Sequence, residues 1–154
     1  MGSMNQIKPI LLVEDDPRDV ELTLAAFEQH NLANEVMVAR DGEEAMDLLF
    51  RRGKYQELPS GNPVLILLDI NMPKVDGLEV LRQIRADEKL KLIPVVVLTT
   101  SREQRDVIRS YNLGVNAYVV KPVGFEQFVE AVREIRLFWG VLNEPPPGSV
   151  NNIG

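Results

Sequence analysis

The chain has 154 residues, which suits one domain with a single hydrophobic core and leaves little material for a second. Hydrophobic residues make up 45% of it and charged residues 26%, a composition that excludes a disordered or fibrous protein. The net charge of −6 works against binding to nucleic acid or to anionic membrane surfaces, and the absence of cysteine excludes a disulfide framework.

Both ends of the chain are expected to lie outside the domain. Residues 1–7 are interpreted as a cloning remnant followed by a short lead, and residues 143–154, which include three consecutive prolines, as a flexible tail. The domain is therefore expected at 8–142. We see no secretory signal, and every apolar run is far shorter than the ~20 residues that cross a bilayer, so we expect a cytoplasmic protein without a membrane segment.

Five short apolar runs predict β-strands at 10–13, 36–39, 64–68, 95–98 and 117–120. The first, third and fourth runs are continuous, which is typical of parallel strands that are covered on both faces. Between the strands, apolar residues recur with helical spacing and predict five helices. These residues are Val20/Leu24/Phe27, Ala45/Leu48/Leu49, Leu78/Leu81/Ile84, Val107/Ile108/Tyr111 and Phe128/Val132/Ile135. The alternation predicts a doubly wound α/β fold that binds ligands at the carboxyl ends of its strands.

Carboxylates follow two of the predicted strands directly. Strand one continues into Glu14-Asp15-Asp16, and strand three continues into Asp69. If these strands are neighbours, the negative charges lie close together and repel, and a hard divalent cation would remove the repulsion. Asp15, Asp16, Asp69 and the backbone carbonyl of Asn71 suit Mg²⁺, which prefers oxygen ligands. The alternative is that the acidic run only caps the first helix, where carboxylates are also favoured.

Two further polar residues end strands at the same predicted edge. Thr99 follows strand four and Lys121 follows strand five. A hydroxyl can donate a hydrogen bond to a phosphoryl oxygen, and an ammonium group offers a compact positive charge to a carboxylate or phosphate. Taken singly, each residue is more often a turn residue or a solvated surface residue. Their coincidence with the carboxylates favours a phosphate-handling site.

As a set, these motifs resemble the receiver domain of two-component response regulators, with 30 positions from Asp69 to Thr99 and 22 from Thr99 to Lys121. The resemblance covers about 8–142 and implies a flavodoxin-like sheet of order 2-1-3-4-5 with five flanking helices. The long connection at 53–63 and the proline-rich tail resemble the stand-alone regulators that pair with phytochrome-type histidine kinases. The motifs that carry the resemblance are Val13-Glu14-Asp15-Asp16, Leu68-Asp69-Ile70-Asn71-Met72-Pro73, Asp76-Gly77, Leu98-Thr99-Thr100 and Tyr118-Val119-Val120-Lys121-Pro122.

The resemblance implies a role for each residue of the phosphotransfer site. Asp69 would accept a phosphoryl group from the phosphohistidine of a sensor histidine kinase, a bacteriophytochrome being one candidate. Asp15 and Asp16 would be the acid pair that holds Mg²⁺, and Lys121 would neutralise phosphoryl oxygen charge. The protein would then catalyse only its own phosphorylation and dephosphorylation, so it is not expected to be an enzyme in the ordinary sense.

The same resemblance implies how a signal would leave the site. Thr99, besides its part in the reaction, would be the switch hydroxyl that moves towards the phosphoryl oxygens, and Tyr118 would be the switch aromatic that turns inward behind it. The output would be altered binding to another protein.

Two other functions share parts of this pattern. An aspartate-nucleophile phosphatase also uses Asp, Thr and Lys at strand ends with Mg²⁺, but it often needs a second acid two residues after the nucleophile, where this chain has Asn71. A phosphorylation-independent scaffold would be favoured if the acidic site were eroded, and here every position is filled. His30, the single histidine, is interpreted as a surface residue.

Self-association is predicted through helix four, strand five and helix five. Apolar residues near the end of helix five extend beyond its core-facing stripe, and three arginines recur along one side of helix four, where they could pair with a partner's carboxylates. The residues expected at this homodimer interface are Arg102, Arg105, Arg109, Phe138, Trp139 and Leu142.

Overall fold

Five parallel strands form one sheet with the order β2-β1-β3-β4-β5, as predicted. A computed structural model of the protein describes residues 8–30, 32, 34–58, 61–70, 77–99, 112–121 and 123–134. Two strands end one residue later than predicted, so that Asp69 and Thr99 are the last residues of their strands. The strands are β1 Ile10–Val13, β2 Val36–Ala39, β3 Leu65–Asp69, β4 Val95–Thr99 and β5 Ala117–Val120.

Four α-helices lie in the described part of the chain. They are α1 Pro17–Gln29, α2 Gly42–Leu49, α3 Gly77–Ala86 and α4 Phe125–Glu134. The helix predicted around 107–111 falls outside the described residues, so α4 corresponds to the fifth predicted helix. Short 3-10 helices occupy Gly53–Tyr55 and Leu90–Leu92. Within the described residues, each helix is too short or too polar to cross a membrane.

The helices cover both faces of the sheet, as the continuous apolar strands predict. On one face, α2 and α3 pack against every second residue of the strands, among them Val13 and Leu68. On the other face, α1 and α4 pack against Leu12, Leu67 and Val119. Every residue of β1, β3 and β4 is buried, so the sheet is a rigid support for the residues at its edge.

The sheet register brings the carboxyl ends of four strands to one edge. Val13 at the end of β1 is level with Leu68, one residue before the end of β3. At the end of β4, Thr99 is level with Val120, the last residue of β5. The residues that follow these strands therefore emerge side by side, which places the predicted site residues within reach of one another.

The long connection between α2 and β3 is attached to α2 by polar contacts. The Tyr55 hydroxyl donates a hydrogen bond to Glu44 of α2, and the Lys54 ammonium lies 3.6 Å from the same carboxylate. Arg51, which has φ of 54°, donates to the carbonyl oxygen of Gly61. The Leu58 side chain packs against the core on the α2 and α3 face. The polar contacts of Lys54 and Tyr55 therefore attach the start of this connection to α2.

Candidate functional site

Three carboxylates converge at the carboxyl edge of the sheet. Glu14 and Asp15 follow β1, and Asp69 ends β3. One oxygen from each lies within 4.8 Å of the others. Glu14 and Asp69 are buried, with 1% of each residue exposed, and Asp15 is half-buried. The predicted proximity of Asp15 and Asp69 is therefore present in the structure.

Asp16, the other predicted member of the acid pair, is not part of this group of three. The chain leaves the strand at this residue, and the Asp16 carboxylate accepts a hydrogen bond of 2.9 Å from the Arg18 backbone N–H as the N-cap of α1. Glu14 takes the inner position instead. Side chains alternate along a strand, so Glu14 shares the sheet face of Ile10 and Leu12. The sequence offers this alternation as a signal, but the signal can be used only once the residue at which β1 ends is known.

The Lys121 ammonium lies among the carboxylates. Its Nζ is 3.1 Å and 3.3 Å from the two Glu14 oxygens and 3.3 Å from Asp69 Oδ2. A third carboxylate, Asp19 Oδ2 in the first turn of α1, is 3.1 Å from the same nitrogen. Only 15% of the Lys121 side chain is exposed, so the interactions are weakly screened by water. The sequence prediction included Lys121 and Asp69 but missed Asp19.

Crowding and burial shift the pKa values of both central groups. Burial, reinforced by the Asp69 charge, raises the pKa of Glu14 to about 7. Burial alone would lower the pKa of Lys121, but the charges of Asp69 and Glu14 outweigh it and raise the pKa above its ordinary value. Lys121 therefore remains a cation at neutral pH.

Thr99 and Tyr118 lie close to this edge on neighbouring strands. The Thr99 residue is 1% exposed, and its hydroxyl has no hydrogen-bond partner among the described residues. A buried hydroxyl without a partner is costly, so this one is suited to a ligand oxygen that arrives later. The Tyr118 side chain is half-buried and packs against the core on the α2 and α3 face. Their switch roles stay predictions.

The group of three has the chemistry of a divalent-cation site. Its donors are all carboxylate oxygens, which hard cations prefer. Burial is the main cause of the raised pKa of Glu14, and the Asp69 charge adds to it; a bound cation would relieve that second contribution. The fourth predicted ligand, the carbonyl of Asn71, lies outside the described residues. The predicted interface residues Arg102, Arg105, Arg109, Phe138, Trp139 and Leu142 lie outside them as well.

This fold and this site define a receiver of the response-regulator type. The chain matches the response regulator receiver domain over residues 10–133 and belongs to that family. Receiver domains bind a divalent metal in an acidic pocket, which here corresponds to Glu14, Asp15 and Asp69. The predicted family and fold are confirmed.

Among individual relatives, the chain is similar to regulators associated with phytochromes. Response regulator Rcp1 from Synechocystis sp. is 44% identical over 135 residues, which are 88% of this chain and 90% of that protein. The solved bacteriophytochrome response regulator RtBRR is 60% identical with a TM-score of 0.84, covering 94% of this chain and 87% of that one. The Mn²⁺-bound form of Rcp1 is 42% identical with a TM-score of 0.69, covering 92% and 99%.

Proposed function

We propose that this receiver accepts a phosphoryl group on Asp69 from the phosphohistidine of a sensor histidine kinase, in a Mg²⁺-dependent reaction, and signals by altered protein–protein binding. The observation that supports this best is the position of the Lys121 ammonium, 3.3 Å from Asp69 Oδ2 and surrounded by carboxylates. The Asp69 carboxylate would act as the nucleophile, and the Lys121 ammonium beside it would neutralise charge during the transfer.

The proposed reaction is an in-line displacement at phosphorus. An Asp69 oxygen forms a bond to the phosphorus atom while the bond from phosphorus to the histidine nitrogen breaks, and that nitrogen keeps the electron pair. Lys121, whose Nζ is 3.3 Å from Asp69 Oδ2, would neutralise part of the negative charge on the phosphoryl oxygens. When bound, Mg²⁺ supplies further neutralisation of phosphoryl oxygen charge.

We propose Asp15, Asp69 and the Asn71 carbonyl as metal ligands, with Glu14 as the buried neighbour that completes the negative field. The predicted role of Asp16 as a ligand competes with its observed role as the N-cap of α1. The Mn²⁺-bound structure of the relative Rcp1 supports the binding of a divalent cation at this site. The response of Asp15→Ala and Asp16→Ala to Mg²⁺ distinguishes the two assignments.

A bacteriophytochrome-type histidine kinase is the proposed phosphoryl donor. The support comes from two similar solved structures, both bacteriophytochrome response regulators, which are 60% and 57% identical to this chain. After phosphorylation, Thr99 would turn its buried hydroxyl to a phosphoryl oxygen and Tyr118 would follow inward. The changed face would include β5, because Tyr118 lies in that edge strand.

The same face is the proposed homodimer surface, made of the predicted helix at 107–111, β5 and α4. Val120 in β5 is 49% exposed, which supports an apolar contribution from this edge. Light scattering after size exclusion should give a mass near twice 17.4 kDa. Replacing Phe138 and Trp139 by Ala should give a folded monomer that is still phosphorylated, and a parent that stays monomeric at micromolar concentration would refute the dimer alone.

Labelling on Asp69 tests the central proposal. Acetyl phosphate with Mg²⁺ should add one phosphate-sized mass to the parent chain, and EDTA should prevent the addition. Asp69→Asn should keep the fold, measured by circular dichroism, and take up no label. Asp47→Asn is a matched control, because Asp47 is a partly exposed acid on α2 that pairs with Arg52 away from the strand ends. Undiminished labelling of Asp69→Asn would refute the assignment.

A further inference from the structure

Asp19 is a further carboxylate at the site. It belongs neither to the acidic run after β1 nor to the group of three carboxylates. It lies in the first turn of α1, and its Oδ2 is 3.1 Å from Lys121 Nζ. That distance equals the shorter of the two Glu14 contacts and is less than the 3.3 Å to Asp69. Lys121 is therefore held at least as closely by α1 and the end of β1 as by the proposed phosphoacceptor.

The three carboxylates approach the ammonium group from different elements. Glu14 follows β1, Asp69 ends β3 and Asp19 is in α1, while Lys121 itself follows β5. An ammonium group has three N–H donors on a flexible stem, and fixing that stem costs rotamer entropy. Three acceptors from three elements fix both the position of Nζ and the direction of its donors. Without Asp19, one donor would face solvent and the stem would regain freedom.

Asp19 differs from the other two carboxylates in its surroundings. The Asp19 side chain is 24% exposed, against 1% for Glu14 and 2% for Asp69. Asp19 therefore contacts Lys121 from the solvent side, while Glu14 and Asp69 contact it from the interior. Its backbone carbonyl separately accepts a hydrogen bond of 2.8 Å from the Thr23 hydroxyl, which does not depend on the carboxylate. A change of the side chain alone should therefore leave α1 intact.

We infer that Asp19 is a positioning residue for the phosphotransfer site. From the first turn of α1, its carboxylate holds the Lys121 ammonium close to Asp69. The inference rests on the proposed function, because it assumes that Lys121 assists transfer to Asp69. It assigns Asp19 no contact with the phosphoryl group. The first turn of α1 thereby becomes part of the machinery that prepares Asp69, in addition to covering the sheet.

The contact itself can be tested without phosphorylation. In ¹⁵N-edited NMR spectra, the Lys121 ammonium should give a resonance protected from solvent exchange, assigned by its loss in Lys121→Arg. Asp19→Asn is nearly isosteric and should broaden or remove this resonance. Glu21→Gln makes the same charge change at an exposed position two residues later in α1 and should leave it unchanged. A resonance that persists unaltered in Asp19→Asn would overturn the inference.

The consequence is measured by acetyl phosphate labelling with saturating Mg²⁺. Asp19→Asn should lower the initial rate about two- to fivefold, the range of a partly exposed ion pair, whereas Glu21→Gln should stay near the parent rate and Asp19→Glu should recover part of the loss. An equal rate in Asp19→Asn would overturn the inference, and so would a higher rate, which would show that Asp19 mainly repels the anionic donor. A parent that takes no label would overturn the proposed function, which the NMR comparison does not test.

Discussion

Gly77, the first residue of α3, lies directly against the main chain of Asp69. A Cβ atom at Gly77 would be 2.5 Å from the Asp69 carbonyl oxygen and 2.6 Å from the Ile70 Cα. Both neighbours are backbone atoms at the end of a buried strand, so neither can move aside as a flexible side chain would. The absence of a side chain at Gly77 therefore sets how closely α3 approaches the proposed phosphoacceptor.

Gly77→Ala should accordingly displace α3 from the end of β3 and lower both stability and labelling. We expect a loss of about 1–3 kcal/mol in the free energy of unfolding, as for other overpacked sites, measured by urea denaturation. Gly53→Ala is the control. Gly53 has φ of +57° and open space around its Cβ position, so its variant should lose stability through backbone strain but keep the parent labelling rate. Equal labelling of both variants would contradict the proposed effect on Asp69.

Mg²⁺ should stabilise the folded chain through the carboxylates at the end of β1. A cation that binds only the folded state adds RT ln(1 + [L]/Kd), or about 2.7 kcal/mol at 100-fold excess over Kd, so the melting temperature should rise. Asp15→Ala should abolish most of this rise. Asp16→Ala should lower the melting temperature by removing a helix cap, typically ~1 kcal/mol, but keep the response to Mg²⁺. Loss of the response in Asp16→Ala would support the ligand set predicted from sequence.

The stability of the metal-free chain should depend on pH through Glu14. A carboxyl group whose pKa rises from 4.5 to about 7 on folding binds its proton more tightly in the folded chain. Its stabilising contribution is therefore present below its unfolded pKa and is lost as the pH rises through the folded pKa. In EDTA, the free energy of unfolding of the parent should fall relative to Glu14→Gln between about pH 4.5 and about pH 7. Glu28→Gln, an exposed α1 variant, should follow the parent.

Arg85 at the end of α3 should stabilise the segments that lead into β4 and β5. Its guanidinium group donates five hydrogen bonds to four backbone carbonyls and one side-chain amide, which are Lys91, Ile93, Leu113, Gly114 and Asn116. Lysine cannot reproduce this planar fork. Arg85→Lys should cost about 1–3 kcal/mol in urea denaturation, because the carbonyls of Leu113 and Ile93, whose hydrogen bonds to Arg85 are partly buried, lose their donors.

Arg82→Lys provides the matched control for this loss. Arg82 is exposed, one turn earlier in α3, and lies 3.4 Å from Glu79. An exposed pair of this kind contributes little, so its variant should remain within about 0.5 kcal/mol of the parent. Equal losses in the two variants would show that the Arg85 hydrogen bonds do not secure the segment before β5.

The amino-acid sequence by itself determined the architecture and the members of the site that end strands. Continuous apolar runs predict strands buried on both faces, and the carboxyl ends of parallel strands meet at one edge. Asp69, Thr99 and Lys121 could therefore be assigned to that edge from their places after apolar runs. The set of motifs also indicated the family, because the spacing of these residues is specific to receiver domains.

Only the tertiary structure decided which acids face the site. In the run Glu14-Asp15-Asp16, the sheet pleat directs Glu14 inward and the start of α1 turns Asp16 into a cap, and one-dimensional spacing does not show where a strand gives way to a helix. Asp19 and Arg85 were missed for a related reason. Their partners are 102 positions away at Lys121 and 28 at Leu113, so their contacts exist only once α1 and α3 are packed against the sheet.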